Sequence, residues 1–171
     1  MKIKLSELNH CLPAEFVSIC GPFFEHSPWI AERTCGARPF ASLRVLHAAL
    51  CQTLERATPD EQLRLVRAHP DLVGRAVLDR SLTPASAAEQ TAVGLADLAA
   101  ADAQRLADWN ADYRSKFGFP FVICARENKM EAILAAFPAR LASTPEQELL
   151  AALAEIGKIA WHRLDGAIEE G

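Results

Sequence analysis

Leu43, Leu46, Leu50 and Leu54 recur three or four positions apart. That spacing lines one face of an α-helix and predicts a helix over 42–56, opened by Ser42. Similar spacing runs through most of the chain, and the strict alternation of a half-buried strand is missing. Three helix starts are marked by the pairs Thr58-Pro59, Thr83-Pro84 and Thr144-Pro145. In each, a hydroxyl can cap the first turn and proline occupies a position where its missing N–H is harmless. These starts predict helices over 58–68, from 83 towards 100 with Gly94 as a weak point, and over 144–168. Pro70 should stop the first of them. Further helices are expected from Ser6, from Pro13 to Gly21-Pro22, over 102–117 with Gly118 closing it, and over 128–137. Residues 23–29 read as a turn-rich aromatic corner, 71–82 as a connection, and 119–124 as extended backbone crossing the core. The expected fold is all-α: a single-domain bundle of about eight to nine helices over 1–171, with one short core segment broken by Gly118 and Pro120.

Composition narrows the function classes. The 171 residues are 50% hydrophobic and 23% charged, ordinary for a globular domain with a real core. The net charge of −4, with scattered basic residues, argues against nucleic acid. No apolar run approaches the roughly 18 residues of a membrane span. The N-terminus lacks a signal-peptide core, and the C-terminus lacks a peroxisomal address, so a cytoplasmic protein is expected. Cys11, Cys20, Cys35, Cys51 and Cys124 are odd in number and contain no Cys-x-x-Cys pair. They read as reduced, mostly buried thiols rather than a disulfide or zinc framework.

Four places could carry chemistry. His69 lies between a helix and Pro70. It is either a histidine stabilised at a helix C-terminus or a general acid or base. Asp71, two residues on, could orient it or cap the next turn. Ser86-x-x-Glu89 matches a capping box, but the stronger start at Thr83-Pro84 would place both inside the helix on one face. A carboxylate on a core-facing stripe needs a partner or a shifted pKa. Gln90 adds a neutral donor and acceptor beside them. Residues 116–126 are either a buried crossing or a stretch whose unsatisfied amides meet a planar polar ligand. In the last helix, Leu149, Leu153, Ile156 and Ala160 predict an apolar seam whose next position is Arg163. That guanidinium must reach water, a carboxylate or a ligand. The histidines show no metal-ligating spacing, and no phosphate-binding glycine loop is present.

Together these segments resemble the OHCU decarboxylase family, whose substrate is 2-oxo-4-hydroxy-4-carboxy-5-ureidoimidazoline. Seven stretches carry the resemblance, in order along almost the whole chain. They are Phe24-Glu25-His26-Ser27-Pro28-Trp29, Arg38-Pro39-Phe40, His69-Pro70-Asp71-Leu72, Ser86-x-x-Glu89-Gln90, Gly94-Leu95, Asn110-x-x-Tyr113-x-x-Lys116-Phe117-Gly118-Phe119-Pro120-Phe121, and Arg163-Leu164. The resemblance implies an all-α homodimer without cofactor or metal that forms (S)-allantoin and CO2 in urate breakdown. It implies His69 and Glu89 as the catalytic pair. It implies substrate contacts from Pro70, Ser86, Gln90, the backbone of Phe121, Val122, Ile123, Cys124 and Ala125, and Arg163. A helical hydrolase of ureido compounds, a ligand-binding module and a purely structural bundle are the competing readings.

Overall fold

The computed structural model describes residues 2–72, 83–92 and 100–170. Its helices are α1 (Leu5–His10), α2 (Pro13–Cys20), α3 (Trp29–Thr34), α4 (Leu43–Glu55), α5 (Pro59–Ala68), α6 (Pro84–Ala92), α7 (Ala100–Phe117), α8 (Met130–Leu141) and α9 (Pro145–Ala167). Short 3-10 turns occupy Gly21–Phe23, Cys35–Ala37 and Ala125–Glu127. The fold is all-α. Its only strands among the described residues are β1 (Ile3–Lys4) and β2 (Ile168–Glu169), a two-residue parallel pair that hydrophobic pattern did not announce.

The caps explain most of the boundaries. Ser42 Oγ accepts from the Val45 amide at 3.2 Å. Thr58 and Glu61 form a reciprocal capping box: the Glu61 amide donates to Thr58 Oγ1 at 3.3 Å, and the Thr58 amide donates to Glu61 at 2.9 Å. Thr144 and Gln147 repeat it at 3.3 and 3.1 Å. Gly118 takes φ +73, the left-handed backbone that ends α7 where expected. Three expectations need correction. Ser6 lies inside α1, whose cap is Lys4, two residues earlier, with Glu7 accepting the Lys4 amide at 3.3 Å. The aromatic corner runs into α3, a helix its turn-forming residues concealed. The helix expected to end at Phe137 continues through Pro138 to Leu141. Side-chain bonds from Arg140 hold this last turn, offsetting the amide bond that proline cannot make.

The chain divides into two compact units, Met1–Leu65 with Gly157–Gly171, and Val66–Ile156. In the first, α3 packs against α2 and α4 around Phe16, Ile30, Leu46 and Leu50, all fully buried. Arg38 Nη1 donates to the Cys11 carbonyl at 2.6 Å and Asn9 brackets the Phe40 backbone, so the Arg38-Pro39-Phe40 motif is scaffold. The five thiols are free, and Cys20, Cys35 and Cys124 are buried. Burial pushes the Cys20 thiol up to about 12 and those of Cys51 and Cys124 to about 11, so they stay protonated at neutral pH.

The second unit is built around Tyr113. Its ring meets Phe117 at 4.6 Å, Phe121 at 5.4 Å and Phe119 at 6.0 Å between centroids. Phe121 stacks on Phe137 at 3.8 Å. α7 and α8 pack together here, which places the irregular 119–125 stretch inside an aromatic core.

Candidate active site

His69 follows the last residue of α5, and its amide donates to the Val66 carbonyl at 3.2 Å. The side chain is 5% exposed and its Nε2 is sealed from solvent. Four hydrogen bonds to α7 and the residue after it hold the segment on both sides. Arg67 Nε donates to the Gly118 carbonyl at 3.0 Å. Arg114 Nε donates to both Asp71 oxygens at 2.9 and 3.0 Å. Asn110 Nδ2 donates to the Leu72 carbonyl at 2.6 Å. Asn110, Arg114 and Gly118 are four residues apart, so one face of α7 grips the segment that carries His69. Asp71 thus has in Arg114 a partner that local sequence did not suggest.

The Thr83 start decides the Ser86–Glu89 question. Thr83 Oγ1 accepts the Ser86 amide at 3.3 Å, and the Thr83 carbonyl accepts from Ala87 at 2.9 Å. Thr83 is the cap, and Ser86 and Glu89 lie within α6. Both are buried, at 5% and 8% exposure, while Pro84 and Ala88 face solvent. A hydroxyl and a carboxylate therefore share the inward face of one helix, one turn apart. The side chain of Gln90, the Gly94-Leu95 motif and residues 73–82 lie outside the described residues.

α6 packs against the Ala125–Glu127 turn, which joins its face to the end of the 121–125 stretch. Phe121, Val122, Ile123, Cys124 and Ala125 are all buried. Two of their backbone groups are taken by charged side chains. Arg140 Nη1 donates to the Val122 carbonyl at 2.6 Å, and the Cys124 amide donates to Glu155 at 2.7 Å. Among the described residues, none accepts from the amides of Val122, Ile123 or Ala125. Buried amides left over by secondary structure are uncommon and suit a ligand oxygen.

Arg163 belongs to the other unit. Its Nη1 lies 3.0 Å from Glu25 and 3.3 Å from the Pro22 carbonyl, with the two side chains 7% and 2% exposed. The guanidinium on the apolar seam is matched by a buried carboxylate from the aromatic corner, an arrangement no spacing in α9 could reveal. The seam itself differs in register. Ile156 and Ala160 are buried as expected, but Glu148 and Ala152 take the inner positions that the pattern assigned to Leu149 and Leu153.

Sequence reasoning missed Glu148. It is fully buried, accepts the Tyr113 hydroxyl and pairs with Arg140, whose Nε lies 2.6 Å away. Burial, and then the bond to Glu148, raise the Tyr113 pKa, so the phenol remains the donor.

Known proteins resemble this chain in sequence and in fold. A family model described as OHCU decarboxylase matches residues 9–165. A 2-oxo-4-hydroxy-4-carboxy-5-ureidoimidazoline decarboxylase from Amia calva is 39% identical, over 96% of this chain and 94% of its own. One from Haloferax volcanii is 37% identical over 95% of each. A crystal structure of OHCU decarboxylase in the presence of (S)-allantoin superposes with a TM-score of 0.68 at 27% identity, covering 89% of this chain and 95% of that one. With a family model and near-complete relatives in agreement, the chain belongs to the OHCU decarboxylase family of carboxy-lyases.

Proposed function

We propose that this protein converts OHCU to (S)-allantoin and CO2 in urate breakdown, with His69 as the proton-transfer residue and Glu89 as its partner. The observation that carries the residue assignment is a buried histidine, carboxylate and hydroxyl within one compact unit that also holds a buried backbone with amides to spare.

The chemistry asks for those groups. CO2 leaves the ring carbon that also bears the hydroxyl. The electron pair passes into the conjugated ring, so the substrate supplies its own electron sink and the proposal includes no cofactor. The hydroxyl loses its proton as it becomes a carbonyl, and the ureido-bearing carbon gains one on a single face. The ring nitrogen that receives the electron pair gains a second proton, so decarboxylation of the carboxylate takes up one proton overall, and moving these protons is a task for an imidazole. Glu89 sets the protonation state of His69 and accepts from the hydroxyl or ureido group. Ser86, Gln90 and Pro70 line the ring. Amides of the 121–125 stretch stabilise charge on its carbonyl oxygens, and Arg163 binds a charged group of the substrate.

The same reading makes the chain one catalytic domain, a cytoplasmic homodimer acting on a small molecule, without nucleic-acid or membrane partners. Among the described residues, no helix is long and apolar enough to cross a membrane. Product analysis on freshly generated OHCU tests the reaction class. One CO2 per allantoin, lost in folded His69→Asn, is the expected result. Ammonia or carbamate in place of CO2 would make the protein a hydrolase and end the proposal.

A further inference from the structure

The 119–124 stretch has neither helix nor sheet to set its dihedral angles, yet it is buried throughout. Side chains must do that work. Arg140 touches it twice, through Nη1 on the Val122 carbonyl and through its guanidinium carbon 4.6 Å above the Phe121 ring. Glu148 fixes Arg140, and the Tyr113 hydroxyl fixes Glu148. On the far side of Ile123, the Cys124 amide is bound by Glu155 and its carbonyl by Asn128 Nδ2 at 2.9 Å.

We infer that Arg140, Glu148 and Tyr113 are positioning residues of the decarboxylation, a buried relay that aims the 121–125 amides at the substrate ring. The inference rests on the proposed OHCU decarboxylase reading. A buried ion pair is a poor way to gain stability, because desolvation offsets most of its attraction. A planar fork fixed at one end and donating to a named carbonyl at the other is a good way to orient a backbone. Amides that stabilise charge developing in the transition state must be placed to within a fraction of an ångström. Loosening the relay should therefore lower kcat more than it raises KM.

The full chain carrying Tyr113→Phe is the first variant, since it removes one hydroxyl and leaves the aromatic cluster filled. Glu148→Gln and Arg140→Lys are the second and third. Each is assayed on freshly generated OHCU well below its melting temperature, with the folded fraction followed by far-ultraviolet circular dichroism. The expected result is about a tenfold fall in kcat at nearly constant KM for Tyr113→Phe and Glu148→Gln. Arg140→Lys, which keeps the charge and loses the fork, should fall at least as far. Unchanged kcat in folded Tyr113→Phe, a change confined to KM, or a loss that only tracks the unfolded fraction would overturn the inference. Failure of the underlying reading is distinct: the unsubstituted protein would then not turn OHCU over at all.

Discussion

Two half-buried arginines make an informative pair. Arg163 and Arg140 each meet a nearly inaccessible carboxylate, Glu25 and Glu148, and each donates to a backbone carbonyl, that of Pro22 or of Val122. Both devices fasten irregular backbone to a helix. They differ in what else they hold. Glu148 also takes the hydroxyl of Tyr113, the centre of an aromatic core, whereas the Arg163 pair fixes the corner behind α2. One motif therefore fixes the aromatic corner at one place and, on our reading, the shape of a substrate-facing segment at the other.

Removing each carboxylate should separate the two. Glu148→Ala takes the carboxylate from the Arg140 guanidinium and the acceptor from the Tyr113 hydroxyl, and is expected to destabilise by about 3–5 kcal/mol in urea unfolding. Glu25→Ala takes the carboxylate from Arg163 and should fall near the lower end, about 3 kcal/mol. Equal values would show that Tyr113 adds nothing to the larger network. A smaller effect is expected at the anchor of the His69 segment. A Cβ at Gly118 would meet only Arg67 Nη2, at 3.6 Å, so space is available, but φ +73 strains any side chain. Gly118→Ala should cost about 1–2 kcal/mol, and a neutral result would mean that α7 can end otherwise.

The smallest effect belongs to a third arginine–carboxylate pair, Arg33 with Glu61, where Arg33 is half exposed. The Arg33 hydrogen bond and then the Thr58 amide lower the Glu61 pKa to about 2. A carboxylate lowered on folding contributes stability above its unfolded pKa and loses it as pH falls through the folded value. Glu61→Gln should thus remove a small contribution that is present at neutral pH and fades as pH falls from about 4 to about 2. A large loss at neutral pH would break the contrast between surface and buried pairs.

Legibility in the sequence followed the reach of each interaction. Thr58, Thr83, Thr144 and Ser42 cap amides within three residues, so four helix starts could be read directly. Thr83 also settled that Ser86 and Glu89 point inward. The register of α9 was misjudged because Glu148 looks like a surface residue until its partners, 8 and 35 positions away, are known. Arg163 was noticed for breaking an apolar seam, but its partner lies 138 residues earlier in a stretch read as turns. The helix expected to end at Phe137 runs on through Pro138, held by bonds from Arg140 to Val122 and Glu148. The motifs behind the family resemblance are of two kinds. His69, Ser86 and Glu89 are buried polar groups suited to chemistry, whereas Arg38, Asn110 and Lys116 bind backbone carbonyls and shape the frame.

The central claim is stereospecific decarboxylation assisted by His69. Its most direct test is the circular dichroism of allantoin formed when the protein meets freshly generated OHCU. A rapid rise of the (S)-allantoin signal, absent with folded His69→Asn, is the predicted result. A flat trace from the folded, unsubstituted protein would contradict the account.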